Sequence, residues 1–264
     1  INEFGDLGVD GEIVKQCSDE TCPEENILEL ANGCICCTVA DDFIPTMKSL
    51  LERHNLPEHI LIETSGLALP KPLLKAFEWP EIRSRLTVDS VLAVVDAEAV
   101  VNGIFAPQMS TEMENKQKET YVEHETPLSE VFEDQINCSD IVLLTKPDLV
   151  KNPSVAKDII IKEIKRNVPI LEVQSGDIEA DLILGIGAAA ETDLENRKSH
   201  HDGFDDHEHD DFDTFSVSIP TVSDLEKFRL NMNDLINKNK VLRIKGFLKV
   251  KDKPLNLIVQ AVGK

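Results

Sequence analysis

The chain has 264 residues and 41% apolar composition, enough for one sizeable α/β domain and a smaller one. It has neither an apolar run of the roughly 18 residues that a membrane helix needs nor a basic segment leading into the apolar core of a secretory signal. Its formal charge of -22 argues against a nucleic-acid or anionic-membrane partner, either of which needs a basic face, and suits a protein that handles cations, although acidity alone serves solubility in most chains.

The chain opens at Ile1 on a polar stretch, INEFGDLGVDGE, and closes at Gly263-Lys264 after an apolar strand pattern, so both ends read as truncated. The segment NGCICCTVADDF then places Cys34, Cys36 and Cys37 within four positions. Helical spacing runs from Ala40 to Arg53. HILIETSG, His59 to Gly66, reads as a buried strand ending in polar residues, and VDSVLAVVDA, Val88 to Ala97, as a second. Phe105 to Pro127 is polar and reads as a loop or solvated insertion. DIVLLTKPD, Asp140 to Asp148, and VPILEVQS, Val168 to Ser175, read as strands on either side of a helix from Pro153 to Arg166. Ser199 to Asp213 holds seven carboxylates and four histidines with little to pack, which predicts a disordered linker. Beyond it, FSVSIP reads as a strand and SDLEKFRLNMNDLI as a helix opened by Ser223 with Glu226 three residues on. VLRIKGFLKV and PLNLIVQAV read as a hairpin.

Short apolar strands alternating with helices predict an α/β fold, a mostly parallel sheet with helices on both faces, followed by a small C-terminal α+β domain. The expected boundaries are residues 1–198 for the main domain, 199–213 for the His/Asp-rich linker and 214–264 for the partial C-terminal domain. Ligands of such sheets sit outside the carboxyl ends of the strands.

Two strand ends carry suitable chemistry. Glu63, in ETSG, can hold a magnesium ion through water, and Gly66 lets its backbone N–H approach a terminal phosphate; the plainer reading is a strand end and a turn. In TKPD, the Asp148 carboxylate can accept a pair of hydrogen bonds from guanine N1–H and the 2-amino group, and the Lys146 stem can lie along the base. The corresponding motif of GTP-binding proteins has Asn where this chain has Thr145, whose hydroxyl can replace part of that bracing. No G-x-x-x-x-G-K-[ST] phosphate loop occurs, so either nucleotide is not bound or that loop precedes Ile1.

Three thiolates at C-x-C-C can share one tetrahedral ion and leave a position open, a pattern suited to zinc, copper(I) or cobalt(II). Reduced buried thiols or a redox pair are the alternatives, although adjacent cysteines make a poor disulfide. Cys17 and Cys22 read as loop thiols, and Cys138 as buried. His200, His201, His207 and His209 can gather divalent metals loosely or simply belong to a solvated linker.

Together INEFGDLGVDGE, ELANGCICCTVADDF, ILIETSGLALP, LLTKPD, the His-rich tract and VLRIKGFLKV resemble, in order and over essentially the whole chain, the CobW family of P-loop GTPases that act as metal chaperones. The resemblance implies a cytoplasmic GTPase that uses GTP and Mg2+, carries Co2+ or Zn2+, and hands cobalt to cobaltochelatase. Residue by residue, it places Cys34, Cys36 and Cys37 at the metal, Thr145, Lys146 and Asp148 at guanine, and Glu63 and Gly66 at the catalytic strand end. Glu3 and Asp6 match a segment near nucleotide and metal. The competing readings are a zinc-directed GTPase and a non-enzymatic metal-buffering protein.

Overall fold

A three-stranded parallel sheet organises one of two units in the computed structural model, which describes residues 27–28, 43–64, 66, 68–103, 127–200, 215–239, 241 and 243–262. One unit holds residues 43–60 and 66–200; the other holds 27–28, 61–64 and the described residues from 215 to 262. In the first unit, β1 (Leu92–Asp96) pairs with β2 (Ile141–Thr145), and β2 with β3 (Ile170–Val173). The register sets Leu92 opposite Ile141 and Asp96 opposite Thr145, so β1 and β2 end level with each other.

The helices of this unit are α1 (Ile44–Leu51), α2 (Pro70–Ala76), α3 (Ala97–Val101), α4 (Pro127–Cys138) and α5 (Pro153–Glu163). Ala93, Val95, Val142 and Leu144 point to one face of the sheet and pack with Ala97 and Val100 of α3, Phe132 and Ile136 of α4, and Ala156 and Ile160 of α5. Ile141, Leu143 and Val173 point the other way and pack with Leu92, Leu171, Ile178 and Ile183. Strand alternation thus builds two apolar layers around a parallel sheet, the α/β arrangement expected from the sequence.

Local chemistry explains where several elements begin and end. Pro45 lies in the first turn of α1, where its missing N–H costs nothing, and the helix ends at Leu51, short of the expected Arg53; residues 40–42 of the Ala40–Arg53 pattern lie outside the described residues. The second predicted strand also contracts. The Val88 amide donates to Glu191 Oε2 at 3.0 Å and the Val91 amide to Asp140 Oδ2 at 2.9 Å, while Ala97 opens α3. The predicted helix to Arg166 stops at Glu163, because Asn137 of α4 takes the Lys165 amide at 2.7 Å and donates to the Glu163 carbonyl at 3.1 Å.

Two predicted strands are absent from the described residues. His59 to Thr64 is irregular and Leu61 is 80% exposed; an apolar run becomes a strand only where a neighbour supplies backbone partners. FSVSIP is likewise irregular, with Phe215 81% exposed, and only Val222 forms a bridge, with Val250. In the C-terminal unit, α6 (Leu225–Lys238) starts one residue later than Ser223 would set it, because Asp224 is the cap and accepts the Lys227 amide at 2.9 Å. The predicted hairpin is present as β4 (Arg243–Leu248) paired antiparallel with β5 (Leu257–Val262).

Candidate functional site

The carboxyl ends of β1 and β2 lie side by side, and the candidate residues begin there. Thr145 ends β2 and donates its hydroxyl to the Val95 carbonyl of β1 at 3.0 Å. Lys146 follows in the left-handed backbone region at φ 53, which a lysine adopts only when its surroundings impose it. Pro147 then fixes the next φ and opens a short 3₁₀ turn, Pro147–Leu149, closed by the Leu149 amide on the Lys146 carbonyl at 3.1 Å. Asp148 lies in that turn and is exposed.

Asp96, the last residue of β1, joins both neighbours. Its Oδ1 accepts the Glu98 and Ala99 amides at 2.9 and 3.2 Å, capping α3. Its Oδ2 accepts the Lys146 ammonium. An ion pair this open to solvent adds little stability, so its effect is to aim the lysine. Asp96 belongs to no motif in the sequence; only the β1–β2 register sets its carboxylate level with Thr145.

Gly66 is held differently. Gln135 of α4 donates through Nε2 to the Gly66 carbonyl at 2.9 Å and to the Ala68 carbonyl at 3.0 Å. A Cβ at Gly66 would meet nothing within 4 Å, so packing does not call for glycine there. Glu63 is exposed and belongs to the other unit. The structure therefore brings Thr145, Lys146 and Asp148 together on one turn beside Asp96, and ties Gly66 to α4. Glu3, Asp6, Cys34, Cys36 and Cys37 lie outside the described residues. Among the described residues, no group of three or more His, Cys, Asp or Glu side chains is placed to hold a metal ion.

Most of the acidic tract, from residue 201, also lies outside the described residues, but its first two residues are docked on α4. Asp134, 3% exposed, accepts the Ser199 hydroxyl at 2.5 Å and the His200 amide at 2.9 Å. His200 Nε2 lies 3.0 Å from Glu133 Oε2. Burial alone would lower the pKa of this imidazole, but the hydrogen bond to Glu133 and the charges of Asp134, Glu133 and Glu130 together raise it.

The amino end of β2 carries a polar cluster that the sequence did not reveal. Asp140 Oδ1 accepts from Arg197 at 2.6 Å and from Arg166 at 3.4 Å, while its Oδ2 holds Val91. Arg197 is 1% exposed and also donates to the Cys138 carbonyl. This cluster fixes where β2 starts and so where Thr145 ends.

Residues 1–172 match the family model for the CobW/HypB/UreG nucleotide-binding domain. The chain is 47% identical over 269 residues to the protein named zinc chaperone CobW of Sinorhizobium sp, covering 100% of this chain and 76% of that one. It is 44% identical over 275 residues to the zinc chaperone CobW of Pseudomonas aeruginosa, covering 100% and 72%. The crystal structure of the Zn(II)-bound YjiA GTPase from E. coli aligns over 89% of this chain and 66% of that one, at 19% identity and a TM-score of 0.42. With a parallel α/β sheet, a family match over most of its length and relatives of this identity, the chain belongs to the CobW/HypB/UreG family.

Proposed function

We propose that the chain is part of a GTP-dependent metallochaperone, an enzyme that hydrolyses GTP to GDP and phosphate to reset a metal-binding switch. The observation that carries this reading is the Thr145–Asp148 turn, whose left-handed Lys146 sits at the carboxyl edge of a parallel sheet and is aimed by Asp96. Asp148 then selects guanine through N1–H and the 2-amino group, and Lys146 lies along the base. In this reading Glu63 holds Mg2+ through water and Gly66 faces the terminal phosphate.

The cargo site is the Cys34, Cys36 and Cys37 thiolates, with Glu3 and Asp6 nearby. Cysteines must be reduced and deprotonated to bind metal, which fits the cytoplasm. Zinc is the favoured cargo, since both relatives bear the name zinc chaperone and zinc outranks cobalt at most such sites. Cobalt delivered to cobaltochelatase is the second reading. It rests on the wording of GDLGVDGEIV and ANGCICCTVADDF, which resembles the cobalamin-biosynthesis branch.

The test of the nucleotide reading compares GTP and ATP binding to full-length wild type and Asp148→Ala. Wild type should prefer GTP, and the variant should lose about 2–4 kcal/mol of that preference, the cost of leaving a buried donor pair unmet. Wild type that binds ATP as tightly as GTP contradicts the assignment.

A further inference from the structure

We propose that one face of the β4–β5 hairpin docks an acidic segment of a partner protein, a segment that carries an aromatic or branched aliphatic side chain among its carboxylates. The inference concerns the C-terminal unit alone and stands whether or not the nucleotide reading above holds.

The charge of the chain is unevenly spread. Residues 214–264 hold ten Lys and Arg against four Asp and Glu, in a chain whose formal charge is -22. The stretch from Phe247 to Ile258 concentrates the excess: Lys249, Lys251 and Lys253 are all exposed, and Asp252 is its one carboxylate. Three large apolar side chains in the same stretch face water, Phe247 at 42%, Leu255 at 78% and Ile258 at 44% exposure.

The register brings the two kinds of side chain together. Phe247 lies opposite Ile258 across the hairpin, and therefore on the same face, with Lys245 opposite Gln260 next along it. Leu248 and Val250 alternate to the other face and are buried. Lys249, between them, returns to the Phe247 face. The backbone there is fixed, since the Val222 amide donates to the Lys249 carbonyl at 2.9 Å and the Lys251 amide to the Val222 carbonyl at 2.8 Å. An apolar pair on a pinned backbone, with lysines beside it, matches an extended segment that sets one apolar side chain between carboxylates. A long polyanion fits less well. The field of the lysines reaches about 10 Å at 0.1 M salt, so a short acidic segment meets them alone, whereas a nucleic acid or an anionic bilayer also meets the field of a chain at -22.

The test uses the full-length protein and a fluorescein-labelled peptide of Asp and Glu around a single Phe. Anisotropy should show saturable binding that is lost at about 1 M salt, where the screening length falls to about 3 Å. The double variant Lys249→Glu, Lys251→Glu should weaken binding at least about tenfold, as should Phe247→Ser or a peptide with Gly in place of its Phe. Lys227→Glu, at an exposed position of α6, should leave it within about twofold. No binding, or equal binding by the hairpin variants or by the Gly peptide, overturns the proposal. So does tighter binding of a single-stranded oligonucleotide or of phosphatidylserine vesicles, which gives the face to a polyanion. Binding that appears only after residues 201–213 are deleted also overturns it, and gives the face to the acidic tract of the chain itself.

Discussion

Thr145 and Val95 close the carboxyl ends of β1 and β2 on each other: the threonine hydroxyl donates to the valine carbonyl across 3.0 Å. The bond couples the Thr145–Asp148 turn to the strand that carries Asp96. Thr145→Val should cost about 1 kcal/mol in urea unfolding, the worth of one such bond. Thr145→Ser, which keeps the donor, should cost less. Equal stability of the valine variant and wild type contradicts this bracing.

Arg197 is buried and paired with Asp140, which also takes Arg166 and the Val91 amide. Removing Arg197 leaves Asp140 with Arg166 and the Val91 amide but takes away its shorter guanidinium partner and the donor to the Cys138 carbonyl. Arg197→Met should therefore destabilise the protein by about 1–3 kcal/mol in urea unfolding. A loss under about 1 kcal/mol means that water already reaches Asp140.

Burial pushes the Cys138 thiol up from an ordinary 9.0 to about 11, against the pull of the Arg197, Arg166 and Lys71 charges. The fold thus favours the neutral thiol. Its contribution to stability is complete below pH 9 and is lost as pH rises towards 11. Native Cys138 should resist iodoacetamide at pH 8, as read by mass spectrometry of its peptide, and react once the chain is unfolded. The stability difference between wild type and Cys138→Ala should shrink between pH 9 and 11. Rapid native alkylation at pH 8 contradicts the burial.

Elements whose signal is local were legible in the sequence. The run IVLLT before Lys146 marks β2, and the alternation in VLRIKGFLKV and PLNLIVQAV marks the β4–β5 hairpin. Helix α4 has its own signal, Leu128, Val131, Phe132 and Ile136 at helical spacing, next to the polar stretch from Phe105. What depends on distant partners was not legible. HILIETSG has the composition of a strand, but composition does not supply a neighbouring strand. Asp140 meets Arg197 across 57 positions, and Gln135 meets Gly66 across 69, with no periodicity to announce either. Thr145, Lys146 and Asp148 were legible because one turn carries all three; Asp96 needed the register of a second strand.

The central claim is that nucleotide state sets metal affinity through the Cys34, Cys36 and Cys37 site. A switch needs different affinities in its two states, and linkage makes the effect mutual: metal must tighten GTP by the factor by which GTP tightens metal. The direct measurement is a competition titration of zinc(II), then cobalt(II), against a chelator on the full-length protein, with GDP and with a non-hydrolysable GTP analogue. Cys36→Ser and Cys37→Ser serve as controls. The account predicts at least about tenfold tighter metal binding in the GTP-analogue state, about 1.4 kcal/mol of coupling, lost in both serine variants. Equal affinity in the two nucleotide states, or undiminished affinity in both variants, would contradict it.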